Sequence, residues 1–592
     1  MSESLITESL ITESPASPVS APPALTRRAS FSLLGTAAAG VVGSGLLPAS
    51  PAAAMNPTTT GAPPAARRRR RKKPRDRDLR YKASHEWVKK PEPEPPTDPE
   101  PPTDPEPPTD PEPAGPRDVF GLTARDRNVA SRFSCGLTSS LAAEVASAGG
   151  GEAWFEEQVA AATRHDAGLD IADWWSQLHD DPATLWNRQL NMMEAGYDVA
   201  CLVVSREMVR RIASPTQVQE AMVEFWQNHL HVPSNGDNFF MWRADYGETV
   251  RRHALGRFDE MLTDAVLHPA MLIYLDAGIS TKKHPNENLG RELLELHTVG
   301  VGNYSEDDVK DCARILTGYR IDMGKTWAMS YRLTDHWTGA VKVLDFSHAN
   351  SAPDGRPVAQ ALLDHLARHP LTARRIATKL ARWFVTDEPS EALVSRLAAV
   401  YLANDTAIVP VIRALIASAE FPASVGQKLR DPGQDVVAMH RVLGTTFARP
   451  TTARPAALVI RQQASSIGLA PLQWPTPDGP PLTGNPWSTP GRALASFRVH
   501  WSTANQVSPT DDITYRPIAE WLPALPMTVR GVVEHLSREL LVTEGPEDML
   551  DLVCWLTGSG SEEVVTLTHR LVSRYWGQVL AAFLDHPSRF RH

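Results

Sequence analysis

Apolar residues recur every three or four positions along most of the chain after residue 117, which is the pattern of helices with one buried face. The clearest example is 286–318, which predicts two helices joined by a glycine-bearing turn. Asn286 is a favoured N-cap residue for the first helix. Leu289, Leu293 and Leu296 then form one buried stripe, and two glycines end the helix.

Polar side chains occupy the rest of this helical hairpin. Asn288, Glu292 and Glu295 share one face of the first helix, and His297 lies at the margin of the leucine stripe. The second helix opens with Ser305-Glu306-Asp307-Asp308, a near match to a capping box. Its core face is predicted to be Val309, Ala313 and Leu316, while Asp308 and Asp311 share another face.

A further helix is predicted to begin at Ser214 as N-cap, with a proline at its first position. His229 falls on the apolar stripe of this helix, which is typical of a packed, hydrogen-bonded core histidine. His231 follows two residues later, just before the helix ends. Two histidines at this spacing face different ways on a helix, but at a frayed end both can reach one metal ion.

The remaining pattern predicts a mainly α, multi-helical globular domain over 117–592 with one irregular insertion. Trp327, Tyr331 and the run Val341–Leu344 break the helical period and predict a short β-hairpin or ordered loop within 326–347. Prolines mark a weak sub-lobe boundary near 422–432. Helices are predicted on either side of these breaks at 357–368, 371–384, 389–402 and 407–419.

The stretch 473–490 is too rich in proline and glycine for regular structure, and a loop of this length inside a domain is often functional. Trp474, Trp487 and, beyond the loop, Trp501 are candidates for a surface on which a sugar stacks. The alternative is that these tryptophans attach the loop to the helices.

Several of these motifs resemble the bacterial domain-of-unknown-function family 1800. The matching sequences are FWQNH (225–229), NENLGRELLELHTVGVGNYSEDDV (286–309), HPLTA (369–373), KLAR (379–382) and WPTPDG (474–479). The resemblance spans roughly residue 119 to the mid-500s. It implies an exported, mostly helical protein with no established activity, often encoded beside a sulfatase-like exported partner.

The first 54 residues have the layout of a secretory signal behind a disordered leader. Arg27 and Arg28 precede a weakly apolar run from Phe31 to Leu47, and Ala52-Ala53-Ala54 is a small-residue cleavage site. Paired arginines before a segment rich in glycine and alanine resemble a twin-arginine signal, which exports folded proteins. The alternative is an uncleaved N-terminal anchor.

Residues 55–116 are predicted to form a disordered linker. A basic block runs from Arg67 to Lys73, and Pro-Pro-Thr-Asp-Pro-Glu then repeats three times over 95–112. At about 3.1 Å per residue, an extended polyproline spacer over 91–113 reaches roughly 70 Å. The basic block suits an anionic envelope surface, and a solvated spacer without a partner is the alternative.

Composition removes several function classes. The net charge of −9 and the predicted export disfavour a nucleic-acid partner. The four cysteines are widely scattered, so neither a thiolate metal site nor a redox motif is indicated. With 42% hydrophobic residues over 592 positions, the chain has enough apolar material for a large core.

One group of acids and histidines is the candidate site. Its predicted catalytic residues are Glu292, Glu295, His297, His229 and Asp311. Carboxylate and imidazole together also suit a divalent metal such as zinc, and the candidate ligands are His229, His231, Glu292 and His297. His348 and Asp308 are available nearby. The alternative is an ion-pair network that locks two helices, made by Glu287, Arg291, Glu295 and Arg314.

Two function classes therefore stand. The first is an exported hydrolase-like enzyme that acts on an envelope or extracellular polymer, with Glu292 as general acid or base and His229 or His297 as its partner. The second is a non-catalytic envelope scaffold that docks a partner protein. An enzyme requires these side chains around a water-accessible site, whereas a scaffold buries them in saturated contacts.

Limited proteolysis tests the predicted linker. We expect trypsin to cut first within 67–92, because exposed Arg and Lys sites in unfolded segments are cleaved fastest, and to leave a stable fragment that begins near residue 117. Fragment masses measured over time check this. Protection of the basic block in the isolated protein would contradict the spacer model.

Overall fold

The structure is a computed structural model that describes residues 118–164, 171–236 and 238–592. The predicted signal segment (1–54) and linker (55–116) lie outside the described residues. Within the described residues the chain is mainly helical, which confirms the predicted fold class. Residues 118–592 belong to one compact unit.

Twenty-four α-helices occur within the described residues. The first twelve are α1 (Ala124–Arg132), α2 (Ser139–Ala148), α3 (Gly151–Ala162), α4 (Pro182–Leu190), α5 (Gly196–Ala213), α6 (Gln217–His229), α7 (Phe240–His253), α8 (Phe258–Val266), α9 (Pro269–Tyr274), α10 (Glu287–Glu292), α11 (Glu306–Ile315) and α12 (Arg356–Ala367). The others are α13 (Pro370–Phe384), α14 (Glu391–Ala403), α15 (Ile408–Ile416), α16 (Glu420–Ala423), α17 (Pro432–Val442), α18 (Ala456–Ile467), α19 (Pro490–Ala504), α20 (Ile518–Trp521), α21 (Val529–Leu536), α22 (Glu547–Thr557), α23 (Arg570–Ser573) and α24 (Trp576–Leu584).

Strands occur among the described residues as four short antiparallel pairs. Their bounds are β1 (Tyr319–Ile321), β2 (Met329–Tyr331), β3 (Val341–Val343), β4 (Phe346–His348), β5 (Thr446–Phe447), β6 (Ile513–Thr514), β7 (Met527–Thr528) and β8 (Val564–Val565). The pairs β1–β2 and β3–β4 are hairpins in and next to the insertion predicted at 326–347. The pairs β5–β6 and β7–β8 join distant segments, so strands also occur outside the one insertion that the sequence pattern predicted.

Helix α6 lies at the centre of the fold. Twelve of its thirteen residues are buried, so it is enclosed on every side rather than on one face. Trp226 donates its indole N–H to the Ala254 carbonyl at 3.0 Å, and Phe225 packs against the rings of Trp383 and Phe384 in α13. Neighbouring helices therefore fix the position of His229, the last residue of α6.

Three buried polar residues of α6, Glu220, Glu224 and Gln227, are paired with arginines inside the protein. Arg251 in α7 binds both carboxylate oxygens of Glu220, at 2.7 and 2.9 Å, and reaches Glu207 in α5 at 3.3 Å. Gln227 donates to Glu207 at 3.3 Å and accepts from Arg243 at 3.2 Å. This network locks α5, α6 and α7 together, because a buried carboxylate without a partner is costly.

Several predicted boundaries are accurate and one is not. Asn286 and Ser305 are N-caps, and Ser305 forms the predicted capping box with Asp308. Ser214 is not the N-cap of the next helix: it ends α5, and α6 begins after Thr216. The Ser214 hydroxyl accepts from the Thr216 N–H at 3.2 Å in the turn between the helices.

The connection 422–432 leads into helices that return to the centre of the fold. Both α17 and α18 pack against α5, and the sub-lobe boundary near 422–432 stays a prediction. Among the described residues, we find no helix with the length and apolar character needed to span a bilayer. The four cysteines, all within the described residues, are unpaired.

The buried arginine network generates a stability prediction. Arg251→Leu leaves the buried Glu220 without its ionic partner and removes one of the partners of Glu207, so we expect the free energy of unfolding to fall by about 3–5 kcal/mol. The matched control is Arg413→Leu, because Arg413 also binds a carboxylate (Glu156) through two contacts of 2.7 Å but does so at the surface. The control should lose less than about 1 kcal/mol. Denaturant unfolding of both variants measures the difference, and equal losses would contradict the assignment.

Candidate functional site

Four segments that are distant in sequence meet at the C-terminal end of α6. They are the end of α6 itself, the hairpin helix α10 with the turn that follows it, α13, and the start of the 473–490 loop. Their contacts include His229 to Lys379 at 2.9 Å, His229 to the His297 carbonyl at 3.2 Å, and His231 to the Trp474 carbonyl at 2.8 Å. Gly479 lies directly on the Asn228 carbonyl, with no space for a Cβ. We call this meeting point the four-segment junction.

The two contacts of His229 determine its tautomer. A carbonyl only accepts, so Nε2 carries the proton and donates to the His297 carbonyl, while Nδ1 accepts from the Lys379 amine. His229 is 2% exposed, and burial, followed by the nearby charge of Lys379, holds its pKa well below the usual value. The ring is therefore neutral and both of its nitrogens are occupied.

Lys379 supplies a basic amine at the junction. Burial, with Arg375 as the next cause, lowers the pKa of Lys379 to about 7, and its contact there is with the imidazole rather than with a carboxylate. Lys379 is not among the site residues that the sequence pattern predicts. Its spacing could have identified it as a candidate, because Lys379 lies three residues after the buried Ile376 and four before Trp383, at the edge of an apolar stripe.

His297 is fully buried, and neither ring nitrogen has a hydrogen-bond partner. A neutral imidazole always carries one N–H, so at least one buried donor is unsatisfied, and such groups are rare in folded proteins. His297 ends a π-helical turn, Leu293–His297, that continues α10. Burial, with smaller contributions from Lys379 and Arg375, lowers the pKa of His297 to about 3.

His231 is structural in its contacts. Both of its nitrogens approach backbone carbonyls, Gln227 at 3.3 Å and Trp474 at 2.8 Å. Burial lowers the pKa of His231 to about 4, so the ring is neutral and has one N–H to donate. The shorter contact takes that proton, and His231 thus fixes the start of the 473–490 loop to the end of α6.

Glu292 lies at the solvent side of the junction. It is half-buried and makes no hydrogen bond or ion pair with the described residues. Burial raises the pKa of Glu292, the charges of Glu295 and Asp478 raise it further, and the charge of Arg291 opposes this rise without cancelling it. Glu295 accepts a short hydrogen bond from the Tyr304 hydroxyl. Asp478 is exposed and accepts from the Trp474 indole N–H at 3.1 Å.

Asp311 does not join the other predicted catalytic residues. Its carboxylate accepts from Arg314 at 2.6 Å and from the Lys342 backbone N–H at 2.8 Å. Asp308 accepts from the Leu344 N–H at 2.7 Å in the same way. The two acids therefore anchor the β3–β4 hairpin to α11. His348 is exposed at the end of β4 and accepts from the Asn350 N–H.

The predicted metal ligands do not assemble into a metal site. Among the described residues, no group of three or more His, Cys, Asp or Glu side chains is arranged to hold a metal ion. Both nitrogens of His229 are occupied, and both nitrogens of His231 face backbone carbonyls, those of Gln227 and Trp474. The four residues His229, His231, Glu292 and His297 thus adjoin one another without converging on one point.

The alternative ion-pair network exists in part. Arg291 binds Glu306 at 2.7 Å and approaches Glu287 at 3.8 Å, on the surface between α10 and α11. Arg314 pairs with Asp311 instead of joining this network, and Glu295 binds a tyrosine. Glu292 stays outside every one of these pairs.

Comparison with known proteins identifies a family for the chain but no activity. The family model described as "Protein of unknown function (DUF1800)" matches residues 128–587. No curated protein and no solved structure matches the chain. The matched region contains all four segments of the junction.

The two central histidines generate opposite stability predictions. His297→Leu removes a buried group that has no partner, so we expect the free energy of unfolding at pH 7 to stay unchanged or to rise. His229→Leu is the matched comparison, since it leaves the His297 carbonyl and Lys379 without a partner, and it should cost about 1–3 kcal/mol.

Acid conditions sharpen this test. The folded pKa of His297 is about 3, below the unfolded value of 6.5, so the unfolded chain binds the extra proton between these pH values. The part of the free energy of unfolding that depends on a neutral His297 is therefore lost as pH falls from 6.5 to about 3. Urea unfolding at pH 7 and pH 5 should show a smaller acid loss for His297→Leu than for the unmodified protein. A loss at pH 7 as large as that of His229→Leu would contradict this assignment.

Proposed function

The chain belongs to the DUF1800 family, and from that premise we propose that it is an exported hydrolase that cleaves an envelope or extracellular polymer at the four-segment junction. The observation that carries the proposal is Glu292, a half-buried carboxyl with a raised pKa and no partner among the described residues. Groups with such perturbed pKa values, held near other ionisable groups, are typical of acid–base sites.

Glu292 has the properties of a general acid. A raised pKa keeps the proton on the carboxyl group closer to neutral pH, which is where a general acid is most effective. Asp478 and Glu295 supply the second carboxylate that such chemistry needs, and both influence the pKa of Glu292. Two carboxyl groups in unlike environments are the arrangement that glycoside hydrolysis uses.

The proposed reaction adds water across a glycosidic bond. Glu292 donates its proton to the leaving oxygen as the bond to the sugar carbon breaks. Asp478, which is exposed, takes a proton from the attacking water, whose oxygen forms the new bond. Trp474 and Tyr274 adjoin these acids and are partly exposed, which supports a glycan as the substrate class because aromatic rings stack on sugar faces.

In this proposal, the basic residues Arg375 and Lys379 of the junction help to position the substrate. Arg375 donates to the Leu296 carbonyl at 3.0 Å, and Lys379 binds His229, so neither is neutralised by Glu292. Arg375 lies within electrostatic range of Glu295, and Lys379 within range of Asp478. The positive charge of Arg375 favours substrates that carry negative groups. Anionic glycans of bacterial envelopes have that character.

Export and the partners are part of the proposal. The paired Arg27 and Arg28 before an apolar run support export to the cell envelope or beyond it, and the block from Arg67 to Lys73 supports contact with an anionic envelope surface. The family resemblance supports an exported sulfatase-like protein as a partner. A sulfatase and a glycan hydrolase act on the same class of substrate.

A second candidate function is a non-catalytic scaffold in the envelope. The observation that favours it is that His229 and His231 are buried and donate their ring N–H groups to backbone carbonyls. Those contacts connect three segments and need no substrate to explain them. Under this alternative, Glu292 has no catalytic consequence.

Glu292→Gln separates the two functions. We expect this substitution to abolish the release of reducing ends from isolated bacterial envelope glycans, because glutamine has no proton to donate at neutral pH. The melting temperature at pH 7 should stay the same or rise. The reason is that the pKa of Glu292 is higher in the folded protein than in the unfolded chain. Ionised Glu292 therefore lowers the free energy of unfolding at pH above about 4.5, and glutamine cannot ionise.

Glu287→Gln is the matched control, since Glu287 lies five residues earlier in the same helix and contacts only the surface Arg291. It should keep full activity and stability. A large fall in melting temperature for Glu292→Gln, or an active Glu292→Gln protein, would contradict the enzyme assignment. Absence of glycan cleavage by the unmodified protein, with normal stability in both variants, would favour the scaffold.

A further inference from the structure

A groove between α18 and α19 shares no residue with the four-segment junction. Its volume of about 350 Å³ lies within the range of roughly 300–1,000 Å³ that is typical of small-molecule sites. One face of each helix lines it, with residues spaced by three and four: Val459, Gln462, Gln463 and Ser466 from α18, and Ala495, Arg498, Val499 and Ser502 from α19. Arg454 and Ser508 complete the lining. We call this space the α18–α19 groove.

Buried contacts fix the floor of the groove. Val459 and Val499 are buried, and the Gln463 amide is buried between them and the neighbouring helices. Gln463 accepts from the His440 ring in α17 at 3.0 Å and donates to the Thr503 hydroxyl in α19 at 2.9 Å. These bonds connect three helices, so a ligand meets a preformed surface and loses less affinity to ordering the protein.

Two arginines of the groove have no counter-ion. Arg454 and Arg498 are exposed, and neither forms a hydrogen bond or an ion pair with the described residues. No Asp or Glu is present among the described residues that line the groove. The acids of the adjacent segment, Asp511 and Asp512, do not line it, and each accepts from a threonine hydroxyl. A cleft whose charged side chains are all positive attracts anions, even in a chain whose net charge is −9.

The groove also offers uncharged hydrogen-bonding groups. Gln462 is exposed and Ser502 is half-buried, and neither side chain forms a hydrogen bond within the described part of the chain. An amide and a hydroxyl can each donate and accept. This combination matches the hydroxyl groups of a sugar, which a simple inorganic anion lacks.

An exposed aromatic ring lies beside the groove. Trp501 is 48% exposed and follows Arg498 by three residues on α19, so the two side chains are neighbours on the helix surface. Its indole N–H has no partner among the residues that the structure describes. An aromatic ring in this position can stack on the face of a sugar.

We propose that the α18–α19 groove binds a sugar that carries carboxylate groups. The carboxylates pair with Arg454 and Arg498, because the fork of a guanidinium matches the two oxygens of a carboxylate. Trp501 stacks on a ring, and the volume of the groove holds a mono- or disaccharide. This site holds a glycan without cleaving it, and it does not rest on the proposed hydrolysis.

The test uses the full chain and three probes. Digalacturonate carries both the charges and the rings, galactobiose carries the same rings without the charges, and acetate carries a charge without a ring. We expect digalacturonate to bind in isothermal titration calorimetry on the order of tenfold more tightly than either of the others, and added salt to weaken it. Equal binding of galactobiose or acetate, or no binding of digalacturonate, would overturn the proposal.

Arginine variants locate the binding. Arg454→Gln and Arg498→Gln should each weaken digalacturonate by on the order of tenfold. The matched control is Arg396→Gln, because Arg396 is an exposed arginine in α14 that likewise forms no ion pair or hydrogen bond with the described residues. It should leave the affinity unchanged. Equal weakening by Arg396→Gln would show attraction to general surface charge and overturn the site, as would unchanged affinity in Arg498→Gln.

A second pair of variants tests the stacking. Trp501→Ala should weaken digalacturonate several-fold, whereas Trp555→Ala should not, since Trp555 is 80% exposed on α22 and does not line the groove. Both side chains are at the surface, so both variants should keep the melting temperature of the unmodified protein. Unchanged affinity in Trp501→Ala would contradict the sugar as the ligand class.

Discussion

The structure depends on a helix that is buried on every side and yet carries polar residues along its length. Helix α6 includes Glu220, Glu224, Gln227 and His229, and each must find a partner inside the protein because water does not reach it. Arginines from α5 and α7 satisfy the first three, and Lys379 satisfies the last. The candidate site lies where this internal pairing is incomplete, at His297 and Glu292 beside the C-terminal end of α6.

Local signals in the sequence were sufficient for much of the fold. The N-caps at Asn286 and Ser305, the core face of α11 and the hairpin at Val341 depend on neighbours within a few residues, so propensity and period predict them. Ser214 shows the limit of such reasoning. A serine before a proline is typical of the start of a helix, but Ser214 is the C-cap of α5. The packing of α5 against α6 determines this boundary, and the local sequence does not show it. The pairs β5–β6 and β7–β8 join segments far apart in sequence and leave no periodic pattern in two residues.

The candidate site could be predicted only in part. His229, His297 and Glu292 were identified because they lie beside apolar stripes, and the structure brings all three to one junction. Asp311 has the same residue type and a similar spacing, yet it binds backbone N–H groups of a hairpin that the helix pattern does not reveal. Lys379 and Asp478 are 150 and 249 positions beyond His229, and their roles arise from burial and long-range charge. The periodicity of apolar residues in a single sequence does not show which residues, distant along the chain, become neighbours in the fold.

One loop borders two separate regions of the molecule. The Trp474 carbonyl accepts a hydrogen bond from His231 at the junction, and a few residues later Leu482 and Trp487 line a narrow cavity beside Arg211 and Glu224. This shared boundary makes the two regions thermodynamically linked whenever a ligand at either one changes the conformational freedom of the loop. Linkage is reciprocal, so a molecule in the cavity that tightens binding at the junction by some factor is itself bound more tightly by the same factor when the junction is occupied. The loop would then act as an allosteric element, and occupancy of one region would report occupancy of the other.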